Sequence, residues 1–161
     1  MNEINYIDSK QRLMIEYLIS SPVIYRLCMP IIKKDYFSPE FRNTIHFLEH
    51  YFNQYNSLPT QEQIFAETQM SYSKPSLTQD TVLYCCEEIE RFCRHKAVEQ
   101  AILSSPPLIK RGEYKAVEKQ LKEAIRVSIK TTVPRKVKSN DKQDLNEIIK
   151  SRFVKDNNNN G

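Results

Sequence analysis

The sequence is poor in glycine, with only two glycines among 161 residues. Tight β-hairpin turns and the loops that cradle phosphate groups both depend on glycine, so little of either can form here. This shortage favours helices. We therefore expect an all-α fold, and the chain is long enough to bury the core of one domain.

The sequence also lacks the cysteine spacing of a metal finger. Its cysteines fall in the apolar phase of predicted helices: Cys28, Cys85, Cys86 and Cys93. They therefore indicate reduced thiols that serve as small core side chains in a cytosolic protein. No signal peptide or membrane span is evident, since the apolar runs are only a few residues long. We expect a cytoplasmic protein without a membrane partner, in the host cytoplasm if the chain is viral.

Catalytic motifs are missing as well. There is no Walker lysine loop, no dinucleotide-binding glycine pattern and no histidine-acid metal motif. His46 and His50 are four residues apart, but no third ligand accompanies them and no glutamate stands in the metalloprotease position. We therefore predict no catalytic residue, no cofactor and no bound metal, and no enzyme activity for this chain.

The clearest positive signals are helix starts. Polar residues suited to cap a helix occur at Asp8, Ser21, Ser38, Thr60 and Thr78. Gln63 stands in the capping-box position for Thr60, and Gln11 does so for Asp8. Prolines follow Ser21 and Ser38 directly, where the first helical turn tolerates them. Each of these positions predicts the beginning of a helix.

The helix predicted to begin after Ser38 is rich in aromatic residues. Its apolar stripe consists of Phe41, Thr44, Ile45, Leu48, Tyr51, Phe52 and Tyr55. Phe41, Phe47, Tyr51, Phe52 and Tyr55 could stack on single-stranded bases, but their helical spacing is more typical of a core. The rings of Tyr36 and Phe37 are predicted to pack beneath this helix.

The longest helix is predicted to begin after Thr78 and to be stopped by Pro106 and Pro107. Gly112 is placed for a turn, and an amphipathic helix from Tyr114 can return antiparallel to the long one. The long helix would span about 40 Å, more than a small core requires, so part of it should project. We therefore expect a globular head at about 8–76 and a helical hairpin at about 78–129.

Residues 131–161 form a basic segment after this domain of residues 1–130. They hold seven lysines and arginines against four acids, and Pro134 interrupts any helix there. We expect a flexible basic linker or tail, with a short amphipathic helix at 144–154 that needs a surface to dock against.

Several strings resemble the N-terminal domain of DnaB-like replicative DNA helicases, particularly the bacteriophage branch. They are Asp35-Tyr36-Phe37, Tyr55-Asn56-Ser57-Leu58-Pro59-Thr60, Arg91-Phe92-Cys93-Arg94-His95-Lys96-Ala97 and Gly112-Glu113-Tyr114. The similarity covers about residues 10–130. It implies a helical head with a hairpin that pairs between subunits, as a dimer or within a hexameric ring.

The resemblance also implies that the heads recruit primase or a helicase loader at the replication fork. The ATP-hydrolysing motor that follows this domain in the family is missing, so the chain is either a fragment or a standalone relative without the motor. In the first case the linker helix that docks on a neighbouring motor would present Leu145, Ile148, Ile149 and Phe153.

Two functions remain open. In the first, the chain is a non-catalytic assembly and docking domain of a phage-type replicative helicase. Its subunit contacts are then predicted at Ile89, Phe92, Cys93, Leu121 and Ile125, unless these residues only pack the hairpin on its own head. In the second, the chain is a small helical protein that binds nucleic acid. Its predicted contacts are Arg91, Arg94, Lys96, Arg135, Lys136 and Lys138.

Overall fold

The computed structural model describes residues 7 to 129. All regular secondary structure in this part of the chain is helical. The predicted all-α fold is therefore confirmed there. The α-helices are α1 (Asp8–Ser20), α2 (Pro22–Cys28), α3 (Pro39–Tyr55), α4 (Gln61–Thr68), α5 (Gln79–Leu103), α6 (Ser105–Lys110) and α7 (Tyr114–Ile125). A 3-10 turn, Lys34–Tyr36, precedes α3. The basic segment 131–161, including the helix predicted at 144–154, lies outside the described residues.

In the head, α1, α2 and the 3-10 turn pack on α5, and α4 packs on α3. Phe92 of α5 is fully buried, and its ring lies 4.9 Å from that of Phe37, centroid to centroid. Tyr25 of α2 and Phe52 of α3 pack similarly at 4.8 Å. Tyr36 and Phe37 are buried, and the ring contact of Phe37 is with α5, so the predicted position of both rings beneath α3 stays a prediction. Aromatic packing therefore joins α5 to the turn before α3, and α2 to α3.

The capping box at the start of α4 forms as predicted. The backbone N–H of Gln63 donates to Thr60 Oγ1 at 3.2 Å, and that of Thr60 donates to Gln63 Oε1 at 2.8 Å. Thr78 caps α5 with Thr81 as its box partner. Asn56, at the end of α3, has a left-handed backbone with φ of 51°. The corner between α3 and α4 is therefore fixed by local bonds.

At two other predicted caps, the expected capping hydrogen bond does not form. Helices α1 and α3 begin where expected, and Ser38 is the N-cap residue of α3. Neither the Asp8 nor the Ser38 side chain, however, makes a cap hydrogen bond to its own helix. Instead, Ser38 Oγ donates to Asp8 Oδ1 at 2.8 Å, and the backbone N–H of Ser38 donates to Gln11 Oε1 at 2.8 Å. The capping side chains thus bind the starts of two helices to each other.

Helices α5 and α7 form the predicted antiparallel hairpin. Gln120 Nε2 donates to the carbonyl of Ala101 at 2.8 Å, and Arg94 Nε donates to the carbonyl of Val127 at 2.9 Å. An earlier residue of α5 thus contacts a later residue of α7 or of the turn after it, so the two helices are antiparallel.

The tip of the hairpin differs from the prediction. Helix α5 ends at Leu103, and Pro106 and Pro107 lie in the first turn of a short helix, α6, that was not expected. Proline fits there because the first helical turn needs no N–H donor. Gly112 makes the predicted turn with φ of 70°, and α7 ends at Ile125, a few residues earlier than its apolar pattern suggested.

The division between head and hairpin falls inside α5 rather than before it. Val82, Cys86 and Ile89 are buried with the residues of α1 to α3, although the predicted head ended near residue 76. Beyond Cys93, the buried residues of α5 are the small Ala97 and Ala101, at the contact with α7. One continuous helix therefore belongs to both parts.

Replacing Phe92 by alanine should destabilise the protein by about 3–5 kcal/mol, because the side chain is fully buried in the head core. Tyr84→Ala, at a half-exposed position of the same helix, is the control and should cost less than about 1 kcal/mol. Urea unfolding of the full chain, followed by circular dichroism, measures both. Equal effects of the two substitutions would contradict the assigned core.

Candidate docking surfaces

The structure corrects the predicted subunit interface at three of its five positions. Ile89, Phe92 and Cys93 are at most 1% exposed and belong to the chain's own core, so they offer no surface to a neighbour. They follow the alternative in which the hairpin residues pack on their own head. Leu121 is half-buried against the same core, whereas Ile125 is 60% exposed.

Other apolar side chains of the hairpin are exposed instead. We call these residues the hairpin surface: Ile102, Leu103, Ile109, Tyr114 and Ile125. Each is between 51% and 72% exposed. Four of them lie around the tip, on the end of α5, on α6 and at the start of α7. Large apolar side chains exposed at one end of a hairpin make this end a candidate for contact with another protein.

Polar bonds hold the base of the hairpin against α5. Arg94 donates to Glu90 Oε1 at 2.7 Å as well as to the carbonyl of Val127. Glu90 Oε2 accepts the backbone N–H of Ile129 at 2.8 Å, and Ile129 is buried. These two side chains therefore fasten the segment after α7, which fixes the direction of the hairpin.

The cations predicted to contact nucleic acid on α5 are all engaged in ion pairs. Arg91 pairs with Glu88 at 2.8 Å, Arg94 with Glu90 at 2.7 Å and Lys96 with Glu99 at 3.1 Å. A phosphate would have to compete with these carboxylates. The other predicted contacts, Arg135, Lys136 and Lys138, lie outside the described residues.

A basic row on α7 was missed in the sequence. It consists of Lys115, Lys119, Lys122 and Arg126, which lie around a surface depression of about 290 Å³ together with Glu118 and Glu123. Lys122 pairs with Glu118 at 2.6 Å. The signal was present as a three-and-four spacing of cations, but acidic residues at intervening positions reduced its contrast.

A groove between α3 and α4 was also missed, because its aromatic residues were assigned to the core. Phe41 and Phe52 are buried as expected, but Phe47 and Tyr51 are only half-buried and Tyr55 is 56% exposed. These last three residues line an open groove of about 280 Å³ with His50, Gln63 and Glu67. We call it the aromatic groove.

The cysteines lie together in the head core, and none is disulfide-bonded. Burial raises the pKa of the Cys93 thiol to about 12, with a further contribution from the negative charge of Glu90. The pKa of Cys28 lies well above its ordinary value. The largest cause is a hydrogen bond with Cys86, and the second is burial. Because the thiolate is the nucleophile and the metal ligand, these thiols are poorly suited to either task.

The two histidines that are four residues apart lie on α3. His46 is exposed, and His50 lines the aromatic groove. Residues 7 to 129 contain no group of three or more histidine, cysteine and acidic side chains that could hold a metal ion.

No protein-family model, curated protein or solved structure matches the chain. Within the described residues, no helix combines the length and the apolar content that a bilayer span requires. The functional interpretation therefore depends on the hairpin surface, the basic row and the aromatic groove.

The buried thiols lead to a test of the core. In the native full chain at pH 8, 5,5′-dithiobis(2-nitrobenzoate) should react with almost none of the cysteines, because they are buried. All should react after unfolding in guanidinium chloride. Ser104→Cys, at an exposed position, should add one fast thiol and serves as the positive control. Rapid reaction of the natural thiols without denaturant would be inconsistent with the structure.

Proposed function

We propose that the chain is a non-catalytic assembly and docking domain, of the kind that precedes the motor in DnaB-like replicative helicases. Subunits associate through the hairpin surface, as a dimer or as part of a hexameric ring. The head is then available to dock primase or a helicase loader at the replication fork. One observation carries this proposal: the hairpin stands on a fixed base and exposes large apolar side chains at its tip.

Exposure of these side chains has a physical cost that association would remove. Ile102 and Leu103 are 57% and 72% exposed at the end of a long helix, where their own head cannot cover them. Burial of a large aliphatic side chain contributes about 1.5–3 kcal/mol. A second hairpin brings matching apolar side chains, so a symmetric contact buries the same surface on both copies.

Two substitutions at the tip test this association. The double variant Ile102→Lys, Leu103→Lys should weaken self-association by about 30-fold or more, because it places charges in a desolvated contact. Light scattering coupled to size exclusion, over a range of concentrations, measures the change. Phe65→Lys, at an exposed apolar position of α4 in the head, is the matched control and should leave association intact.

The opposite results are also clear. A wild-type chain that stays monomeric at every concentration would refute assembly through the hairpin. If Phe65→Lys weakens self-association as much as the double variant does, the interface lies on the head instead. Phe92→Asp is unsuitable for this test, because that side chain lies in the core and its replacement would unfold the domain.

The alternative function, binding of nucleic acid, is favoured by a different surface from the one predicted. Lys122 of the basic row pairs with Glu118, but the exposed Lys115, Lys119 and Arg126 make no ion pair with the described residues. All three cations predicted on α5 are in ion pairs. As a second candidate, we propose that single-stranded DNA lies along α7 and extends to the basic segment 131–161.

The double variant Lys115→Gln, Lys119→Gln distinguishes the two basic surfaces. If DNA lies along α7, affinity for oligothymidylate should fall and the magnitude of the salt slope should decrease by about 0.7 per lost phosphate contact. Arg91→Gln is the control and should change little, because Arg91 pairs with Glu88. Fluorescence anisotropy at several salt concentrations measures both. Unchanged binding in the double variant would remove α7 from the site.

A further inference from the structure

One wall of the aromatic groove is a row of three rings, in which Phe47 and Tyr51 meet edge to face and Tyr51 and Tyr55 are tilted by 49°. The centroids of Phe47 and Tyr51 are 5.8 Å apart, and those of Tyr51 and Tyr55 are 4.6 Å apart. Tyr55, at the end of this row, is 56% exposed. Because the rings are inclined to one another, the row offers its exposed end ring, Tyr55, rather than a flat surface, to a planar or cationic group.

The charge of the two helices limits what can enter. Residues 39–68, which contain α3 and α4, hold four glutamates against a single arginine and no lysine. That arginine, Arg42, donates to the carbonyl of Phe37 at 3.0 Å. Glu67 lines the groove opposite the aromatic wall and makes no ion pair with the described residues. A phosphate backbone would be repelled here, whereas a cation would be attracted.

We propose that the aromatic groove binds an arginine side chain from a basic peptide segment of a partner protein. The guanidinium group stacks on the exposed ring of Tyr55, next to Tyr51, and donates hydrogen bonds to the Glu67 carboxylate. Arginine suits this site better than lysine, because its planar group stacks on rings and presents paired donors to a carboxylate. His50 and Gln63 supply polar groups for the peptide backbone.

This inference goes beyond assembly through the hairpin and does not depend on it. The groove lies between α3 and α4 of the head, and none of its lining residues belongs to the hairpin surface. Peptide binding can therefore be measured on the double variant Ile102→Lys, Leu103→Lys as well as on the wild type. Loss of association and loss of peptide binding are separate results.

The test uses a short, end-blocked peptide of leucine, alanine and arginine, and its counterpart with citrulline in place of arginine. Amide resonances of α3 and α4 in the full chain, followed by NMR, should shift on titration with the arginine peptide. Citrulline has the same shape without the charge, and its peptide should bind about tenfold more weakly. Tyr55→Leu should weaken the arginine peptide by about threefold, because it removes one ring.

A matched pair of substitutions on α4 locates the carboxylate. Glu67→Gln should weaken the arginine peptide by about two- to fivefold and leave the citrulline peptide unchanged. Glu62→Gln removes the same charge from an exposed position that does not line the groove, and should have little effect. Equal effects of the two substitutions, or equal binding of the two peptides, would overturn the proposal.

Other occupants give distinct results. Oligothymidylate that shifts the same amides would assign the groove to single-stranded nucleic acid instead. Peptide binding that appears only in an Arg135→Ser variant would assign it to the chain's own basic segment. Either result would overturn the proposal that a partner protein occupies the groove.

Discussion

The buried face of α5 is the constraint on which the rest of the molecule depends. From Val82 to Cys93 this face is enclosed by the head, and ring packing between Phe37 and Phe92 fixes the helix there. The helix then continues for about three more turns. Because a helix with intact backbone hydrogen bonds cannot fold back, its distal part must project, and Ile102 and Leu103 are carried away from the core.

The hairpin remains ordered without a large apolar core of its own. The fully buried residues in the distal part of α5 and in α7 are small: Ala97, Ala101 and Ala124. Side chains that reach backbone carbonyls add direction: Gln120 bonds to Ala101, and Arg94 bonds to Val127. This division of roles leaves the larger apolar side chains on the outside, where a second copy can cover them.

Much of the fold could be predicted from the sequence, because helix starts and apolar spacing are local signals. The Thr60 capping box and the turn at Gly112 need only their neighbours in the chain, and both form as predicted. The bonds of Asp8 and Gln11 could not be predicted. They depend on Ser38, some 30 residues away, reaching the start of α1 in the folded protein.

The candidate sites were harder to predict than the helices. The apolar stripe of α5 runs without a break from Ile89 to Ile102, although the first is buried and the second exposed. Periodicity identifies a face but does not show where the head stops covering it. The same reasoning placed Tyr55 in a core, although α4 leaves that end of the aromatic row open. Only tertiary packing separates these cases.

The most direct test of hairpin-mediated assembly is the distance between two copies. A nitroxide label can be placed at Lys119→Cys on the hairpin or, in a second variant, at Asn53→Cys on the head, since the natural thiols are buried. Double electron–electron resonance is then recorded at a concentration where the chain self-associates. The hairpin label should give an intermolecular distance shorter than α5 itself, about 37 Å, and the head label a longer one. Short distances between heads with none between hairpins would contradict the account.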